Sequence, residues 1–246
     1  PNRHSFDLAK FGYVNLAPQV KASKDYDKEN FQNRKLVLEN GFYDHILTSL
    51  SECLSPLDHP ANILDIGCGE GYYSRSLQER HPDHSFYAFD LSKESIQLAA
   101  KSDQEWKVKW FVGDLAHLPL LDQSMDLLLD IFSPANYQEF KRVLAPDGRL
   151  IKVIPTATHL QEIRQKVKDH LDQVDYSNEQ IIQHFSDHFT IENTIHCQER
   201  FELTPALREA LLSMTPLLFH VDPAQIDWTD LTQVTISATI LIGRSN

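Results

Sequence analysis

Leu64-Asp65-Ile66-Gly67-Cys68-Gly69-Glu70-Gly71 is the stretch that decides how this chain folds. The run Ile63-Leu64-Asp65-Ile66 before it predicts a buried strand, and Tyr73–Arg80 after it predicts a helix. Glycines at such a strand–helix turn let the backbone approach a ligand without Cβ clashes. The turn also turns free N–H groups toward the start of the next helix. A dinucleotide fingerprint needs G-x-G-x-x-G. Here the sixth position is Tyr72 and the third glycine arrives one place early, so the pattern is D-x-G-x-G-x-G.

Outward from the turn, short β-rich runs alternate with helical ones from Asn62 to Pro155. The further strands are Ser85–Phe89, Val108–Val112, Met125–Leu129 and Arg149–Ile154, the last entered through the turn Pro146-Asp147-Gly148. The helices are Lys93–Lys101 and Tyr137–Val143. This alternation predicts a parallel sheet with crossover helices. Helices near His159–Val174 and Asn178–His184 follow, then strands Thr190–Phe201 and Thr232–Ile242 around a helical stretch, Pro205–His220, with Leu207, Leu211 and Leu212 as its core face. Two closing strands on five parallel ones give a seven-stranded, mostly parallel, doubly wound α/β sheet with an antiparallel member. Ahead of it, Asp27–Leu54 reads as two helices broken at Gly41, and Phe11–Leu16 as one short strand.

Three acids end successive strands: Asp65, Asp90 and Asp114, the last two followed by Leu91 and Leu115. In a doubly wound sheet they line one crevice at the carboxyl ends of the strands. The glycine run looks like motif I of class I S-adenosylmethionine-dependent methyltransferases, whose fold is the Rossmann-like methyltransferase sheet. That cofactor carries a sulfonium and an ammonium and no phosphate, which suits an acidic crevice. Asp65 would oppose the ammonium, Asp90 the ribose hydroxyls and Asp114 the adenine amino group, with Gly67, Gly69, Glu70 and Gly71 forming the turn beneath.

Composition bounds the partners. The 246 residues are 41% hydrophobic and 24% charged, enough for one large domain with a full core. The net charge of −12 argues against a generic polyanion binder. Residues 1–40, however, carry seven Lys/Arg against five Asp/Glu, leaving −14 for the rest and confining nucleic-acid contact to one end. No run of about 18 apolar residues predicts a membrane span. Three unpatterned cysteines, Cys53, Cys68 and Cys197, argue against a disulfide framework and point to the cytoplasm. The chain begins at Pro1 rather than Met, which suggests processing or truncation.

Longer stretches narrow the family. His4-Ser5-Phe6-Asp7-Leu8-Ala9-Lys10-Phe11-Gly12-Tyr13-Val14-Asn15-Leu16 resembles the N-terminal signature of bacterial 23S rRNA (guanine-N1)-methyltransferases of the RlmA type. Gly41-Phe42-Tyr43, Leu64–Tyr73, His159-Leu160-Gln161-Glu162 and Met214-Thr215-Pro216 match further blocks of that family. The resemblance implies transfer of a methyl group from S-adenosylmethionine to N1 of a guanine in a hairpin loop of 23S rRNA. It implies cofactor contacts from Tyr43, Gly69, Glu70 and His159, with the segment 27–54 as a lid. It also raises a homodimer. Family members carry a zinc module of three cysteines and a histidine matching His4. Those cysteines are absent here, and one ligand cannot hold zinc, so residues 1–26 read as the remnant and linker of that module, and 27–246 as the methyltransferase domain. The residues before Arg34, Glu29-Asn30-Phe31-Gln32-Asn33, also depart from the family's usual Met and Ala, which bears on substrate choice.

No general base declares itself. The loop Phe132-Ser133-Pro134-Ala135-Asn136 after the fourth parallel strand should lie near the methyl, making Ser133 and Asn136 candidates, with Asp130 a weaker one. Two other classes fit the crevice alone. One is a small-molecule methyltransferase, acting for example on a quinone precursor, which the acidic body favours and the N-terminal block opposes. The other is a non-catalytic S-adenosylmethionine-binding protein.

Overall fold

A computed structural model describes residues 5–19, 28–57, 59–170, 177–218, 221 and 225–246. Its centre is one sheet in the order β1-β4-β3-β2-β5-β6-β8-β7. The strands are β1 (Tyr13–Asn15), β2 (Asn62–Ile66), β3 (Ser85–Asp90), β4 (Val108–Val112), β5 (Met125–Ile131), β6 (Leu144–Pro155), β7 (Phe189–Glu202) and β8 (Gln233–Ser245). Strands β1 to β6 pair in parallel, and β8 runs antiparallel to both β6 and β7. The order reverses between β2 and β5, which places the crevice at their carboxyl ends.

The sheet therefore has eight strands, not the expected seven. The extra one is β1, which pairs Tyr13 with Trp110 and Asn15 with Val112. Phe11–Leu16 reads as a short strand, but so few residues show too little alternation to reveal that it joins this sheet. Gly12, at φ 85°, turns the chain onto the edge of β4, and the N–H of Leu16 extends the pairing to the carbonyl of Val112 at 2.9 Å. Residues 13–15 thus belong to the sheet, and they cover an edge that would otherwise be open.

The helices are α1 (Lys28–Glu39), α2 (Asp44–Leu54), α3 (Tyr72–Arg80), α4 (Lys93–Ser102), α5 (Tyr137–Val143), α6 (Gln161–Val167), α7 (Glu179–Ser186) and α8 (Pro205–Met214). The break between α1 and α2 falls at Gly41, whose φ of 84° ends the first helix. Strand alternation sorts the core into two layers. Ile63, Leu127, Leu129 and Ile151 pack on the face that also holds Leu50, Leu77 and Ile96. Leu64, Ile66, Leu128 and Leu150 pack on the other, with Phe140, Phe185 and Phe189.

Three expected elements shift. Within β6 the partner of Met125 is Leu144 and that of Leu127 is already Arg149, so Pro146-Asp147-Gly148 loops out as a bulge inside the strand. Helix α6 starts at Gln161, because Leu160 stands at φ 53° and breaks the helical path. It ends at Val167, a 3₁₀ turn runs to His170, and 171–174 lie outside the described residues. Helix α8 ends at Met214 before Pro216 and buries Ala210, Leu211 and Met214, while Leu207 and Leu212 are only half-buried.

Candidate active site

Strand β2 ends at Ile66, and the N–H of Cys68 carries the ladder on to the carbonyl of Phe89 at 2.9 Å. Gly67 follows β2 at φ 66°, and a Cβ there would collide with the Ser133 hydroxyl. Asp90, at the end of β3, holds the turn: its Oδ2 accepts from the N–H of Gly69 at 3.0 Å and its Oδ1 from the N–H of Ser92 at 2.8 Å. Burial pushes its pKa up, and those two N–H groups pull it back. Asp114, past the end of β4, accepts from the N–H of Ala116 at 2.9 Å. Between them lies a first cavity of ≈ 350 Å³, lined by Gly67, Gly69, Asp90, Leu91, Asp114 and Leu115 among others.

Three other residues expected at the cofactor lie beneath the turn rather than on this cavity. Asp65 is buried and accepts from the Ser74 hydroxyl; burial pushes its pKa up to about 7. It fastens β2 to α3 and does not line the crevice. Glu70 is buried too, paired with the Arg34 guanidinium at 3.0 Å between Nε and Oε2. Gly71 stands at φ 78° with the Trp110 ring where a Cβ would go, so its glycine serves packing.

Tyr43 and His159 line a second, larger cavity of ≈ 620 Å³. They share one wall of it and do not line the first cavity. The Tyr43 ring meets Phe132 edge-on at 6.0 Å and His159 at 6.3 Å, and Phe132 stacks on His159 at 5.9 Å. Phe132 holds φ 54°, a strained value for an aromatic residue that its N–H bond to the Val153 carbonyl at 3.0 Å helps to maintain. The two cavities meet at Arg34, Phe132, Ser133 and Pro134.

The His159-Leu160-Gln161-Glu162 block has a local physical reason. Past Pro155, strand β8 has lost β6 as a neighbour. His159 Nδ1 accepts from the N–H of Ser237 at 3.2 Å, and Glu162 Oε2 from the N–H of Thr235 at 2.9 Å. The N–H of Leu160 donates to the Thr235 carbonyl at 2.8 Å. These groups satisfy the edge that β6 leaves bare. Burial pushes the His159 pKa down to about 4, so the ring is neutral and carries its proton on Nε2. Burial also pushes Tyr43 up to about 12.

Of the expected catalytic candidates, Ser133 lies where the cavities join. Asn136 is occupied: its Oδ1 caps α5 through the N–H of Glu139, and its amide donates to the Leu115 carbonyl. Asp130 is fully buried against Lys152 and lines neither cavity. His4 lies outside the described residues, among which no group of three or more His, Cys, Asp and Glu could hold a metal ion. The three cysteines are free.

Sequence reading quoted Phe31 and Phe132 within segments set near the substrate or the methyl but gave neither a role of its own, and it missed Lys152 on the cavity wall. Lys152 had a signal: it is the one charge in the apolar run Leu150–Ile154, where only a paired group is tolerated. Of the expected lid, α1 reaches both cavities through Arg34, whereas α2 is core, with Ile46, Leu50 and Leu54 fully buried. Helix α1 packs on α8, where the Asn30 and Asn33 amides donate to the Ser213 carbonyl and hydroxyl at 2.9 and 3.0 Å. Beyond α8, Met214, Thr215 and Pro216 line the second cavity.

Comparison with known proteins agrees with this geometry. Residues 63–148 match the family described as "Methyltransferase domain". Among solved structures, the chain resembles the YcgJ protein of Bacillus subtilis, at a TM-score of 0.57 and 19% identity, over 82% of this chain and 98% of that one. It also resembles geranyl diphosphate C-methyltransferase of Streptomyces coelicolor A3(2), solved with S-adenosyl-L-homocysteine, at 0.51 and 13% over 81% and 76%. Both likenesses concern the fold. The "23S rRNA (guanine(748)-N(1))-methyltransferase" of Streptomyces fradiae is 27% identical over 99% of this chain and 89% of its own. The Bacillus subtilis (strain 168) protein named "Putative 23S rRNA (guanine-N(1)-)-methyltransferase YxjB" is 34% identical over 98% of this chain and 88% of its own. With 34% identity over nearly the full length of both chains, the chain belongs to the 23S rRNA (guanine-N1)-methyltransferase family of S-adenosylmethionine-dependent methyltransferases.

Proposed function

We propose that this chain transfers the methyl group of S-adenosylmethionine to N1 of a guanine in a hairpin loop of 23S rRNA. The observation that carries the reading is the pair of adjoining cavities, one built on the glycine turn and strand-end acids, the other walled by aromatic rings. The residues present fit the cofactor. Gly67 leaves a cradle that a Cβ would close, and a carboxylate already fixed by two N–H groups faces it at Asp90. Each carboxylate oxygen keeps lone-pair capacity for ribose hydroxyls. When bound, the cofactor supplies an electrophilic methyl on a sulfonium.

In this reading Asp90, Asp114, Leu91 and Leu115 hold the nucleoside. Tyr43 and His159, which the family resemblance gives as cofactor contacts, line the second cavity and so are assigned here to the acceptor side of the junction. A guanine from a loop is single-stranded and can be splayed out and stacked on aromatic rings. The wall of Tyr43, Phe132 and His159 offers such rings, and the neutral His159 offers an Nε2–H donor. Most of the acceleration then comes from alignment of N1 with the methyl. The net charge of −12 assigns affinity to local cations, and Arg34 and Arg164 both line the acceptor cavity. The protein would work in the cytoplasm. No helix among the described residues is long and apolar enough to cross a membrane.

The test is methyl transfer to 23S rRNA transcribed without modification, read by primer extension, because a methyl on N1 blocks the pairing edge. The expected result is one cofactor-dependent stop at a loop guanine and no labelling of quinone precursors. Labelling of the small acceptors with no stop in the rRNA would overturn the reading.

A further inference from the structure

Asp130 on β5 and Lys152 on β6 are register partners in the parallel sheet. Both are buried, at 0% and 4% exposure. Alternation along the strands puts them on the same face as Leu128 and Leu150, under α5 and α7. The Lys152 ammonium donates to Asp130 Oδ2 at 2.5 Å and to the Ser133 carbonyl at 3.2 Å. An ammonium has three N–H groups, so these contacts use two. Lys152 is part of the wall of the second cavity, next to Phe132 and Ser133, whereas Asp130 lines neither cavity. A buried ion pair is weak evidence for stability, since well-packed apolar residues in its place are often neutral or stabilising. The apolar neighbours Ile151 and Val153 show that this strand has no general need of a charge.

Apart from His184, the other titratable groups lining the cavity are poor acceptors for a proton. Burial pushes the Tyr43 hydroxyl up to about 12. His159 uses its Nδ1 lone pair on Ser237 and shows a donor at Nε2. Arg34 and Arg164 remain protonated. His184 stands exposed at the rim, against the Tyr137 ring at 5.0 Å.

We propose that Lys152, with Asp130 behind it, is the group that removes the N1 proton of the acceptor base; this rests on the acceptor being guanine, as inferred above. In the step, one ammonium proton passes to Asp130 Oδ2. The lone pair freed on Nζ takes the proton from N1. The N1 electron pair, shared with O6, forms the bond to the methyl carbon as the carbon–sulfur bond breaks and leaves its pair on sulfur. Lys152 ends as an ammonium and Asp130 as a carboxylic acid; as product leaves, Nζ releases a proton into the open second cavity and takes back the one held on Asp130 Oδ2. One proton is released per methyl transferred. Burial supports the sink, since it raises the Asp130 carboxyl to about 7 against the pull of Lys152.

The experiment measures single-turnover transfer to unmodified 23S rRNA at saturating S-adenosylmethionine, with S-adenosylhomocysteine affinity measured in parallel. Lys152→Arg keeps the charge pair but cannot shed a proton, and Asp130→Asn keeps the lysine but removes the sink. Each should slow transfer by roughly 10²-fold or more. Each should leave S-adenosylhomocysteine affinity unchanged, and each should regain rate as pH rises and guanine ionises by itself. Either variant reacting at the unsubstituted rate overturns the proposal. So does a loss that follows cofactor affinity and ignores pH. An unsubstituted chain that leaves every 23S guanine unmethylated sinks the acceptor reading and this proposal with it, whereas slow variants beside an active parent cannot arise from that failure.

Discussion

His159 shows how one residue serves both the fold and the site. Its Nδ1 is spent on the N–H of Ser237, and its ring walls the acceptor cavity. Protonation would take away the acceptor and place a charge among aromatic rings, so burial holds the pKa at about 4. The sign of the consequence follows from linkage. Between about 6.5 and about 4 the unfolded chain binds the proton and the native chain does not, so this contribution to stability is lost as pH falls through that interval. The full effect is roughly 3 kcal/mol. Asp65 and Asp130, both raised to about 7, slope the other way over the same range. Urea melts of the parent and of His159→Gln cancel those carboxyls: the stability gap between the two proteins should shrink on acidification. Parallel pH curves would show that His159 titrates normally. At this scale the glycines and Asp90 were legible because their residue types are forced by backbone geometry and charge. The distinction between Asp65, buried on Ser74, and Asp90, facing the crevice, was not. Both end strands in sequence, and only packing separates them.

Among the elements, α1 is the one whose position depends most on the site. Phe31 and Arg34 reach the first cavity from it, and Arg34 is anchored by the buried Glu70. Its sequence is weakly patterned, with apolar Phe31, Val37 and Leu38 spaced among charges, so tertiary contacts rather than propensity hold it. A bound S-adenosylhomocysteine should add contacts to Phe31 and Arg34, and hydrogen exchange of α1 amides should slow while α2, already core, stays unchanged. Equal exchange in α1 with and without ligand would make it a fixed wall rather than a cover. The break at Gly41 was legible, and so was the two-helix segment. Which half covers the site was not, because it depends on α8 lying beside α1, from residues more than 170 positions away. The start of α6 was misread for a related reason. His159 and Leu160 look helical in sequence, but β8 recruits them as substitutes for a missing strand neighbour.

Over the whole molecule, the parallel alternation from Asn62 to Pro155 was enough to place the crevice at the β2–β5 reversal. The strand within Phe11–Leu16 was legible but its place in the sheet was not, because three residues carry too little alternation to show a partner, and the second cavity escaped because five separate segments build it, from Arg34 to Leu217. Tyr43, the His159-Leu160 start of its block and Met214–Pro216 converge there, far from one another in sequence. That convergence makes the account specific: cofactor in the first cavity, acceptor base in the second, the two meeting at Phe132, Ser133 and Pro134. A crystal structure of the chain with S-adenosylhomocysteine tests this most directly. The account predicts the ribose on Asp90 and the adenine beside Asp114 and Leu115, with the sulfur at the Phe132–Ser133 junction and the second cavity left open for the base. Ligand density seated in the second cavity, among Tyr43, Lys152 and His159, would contradict it.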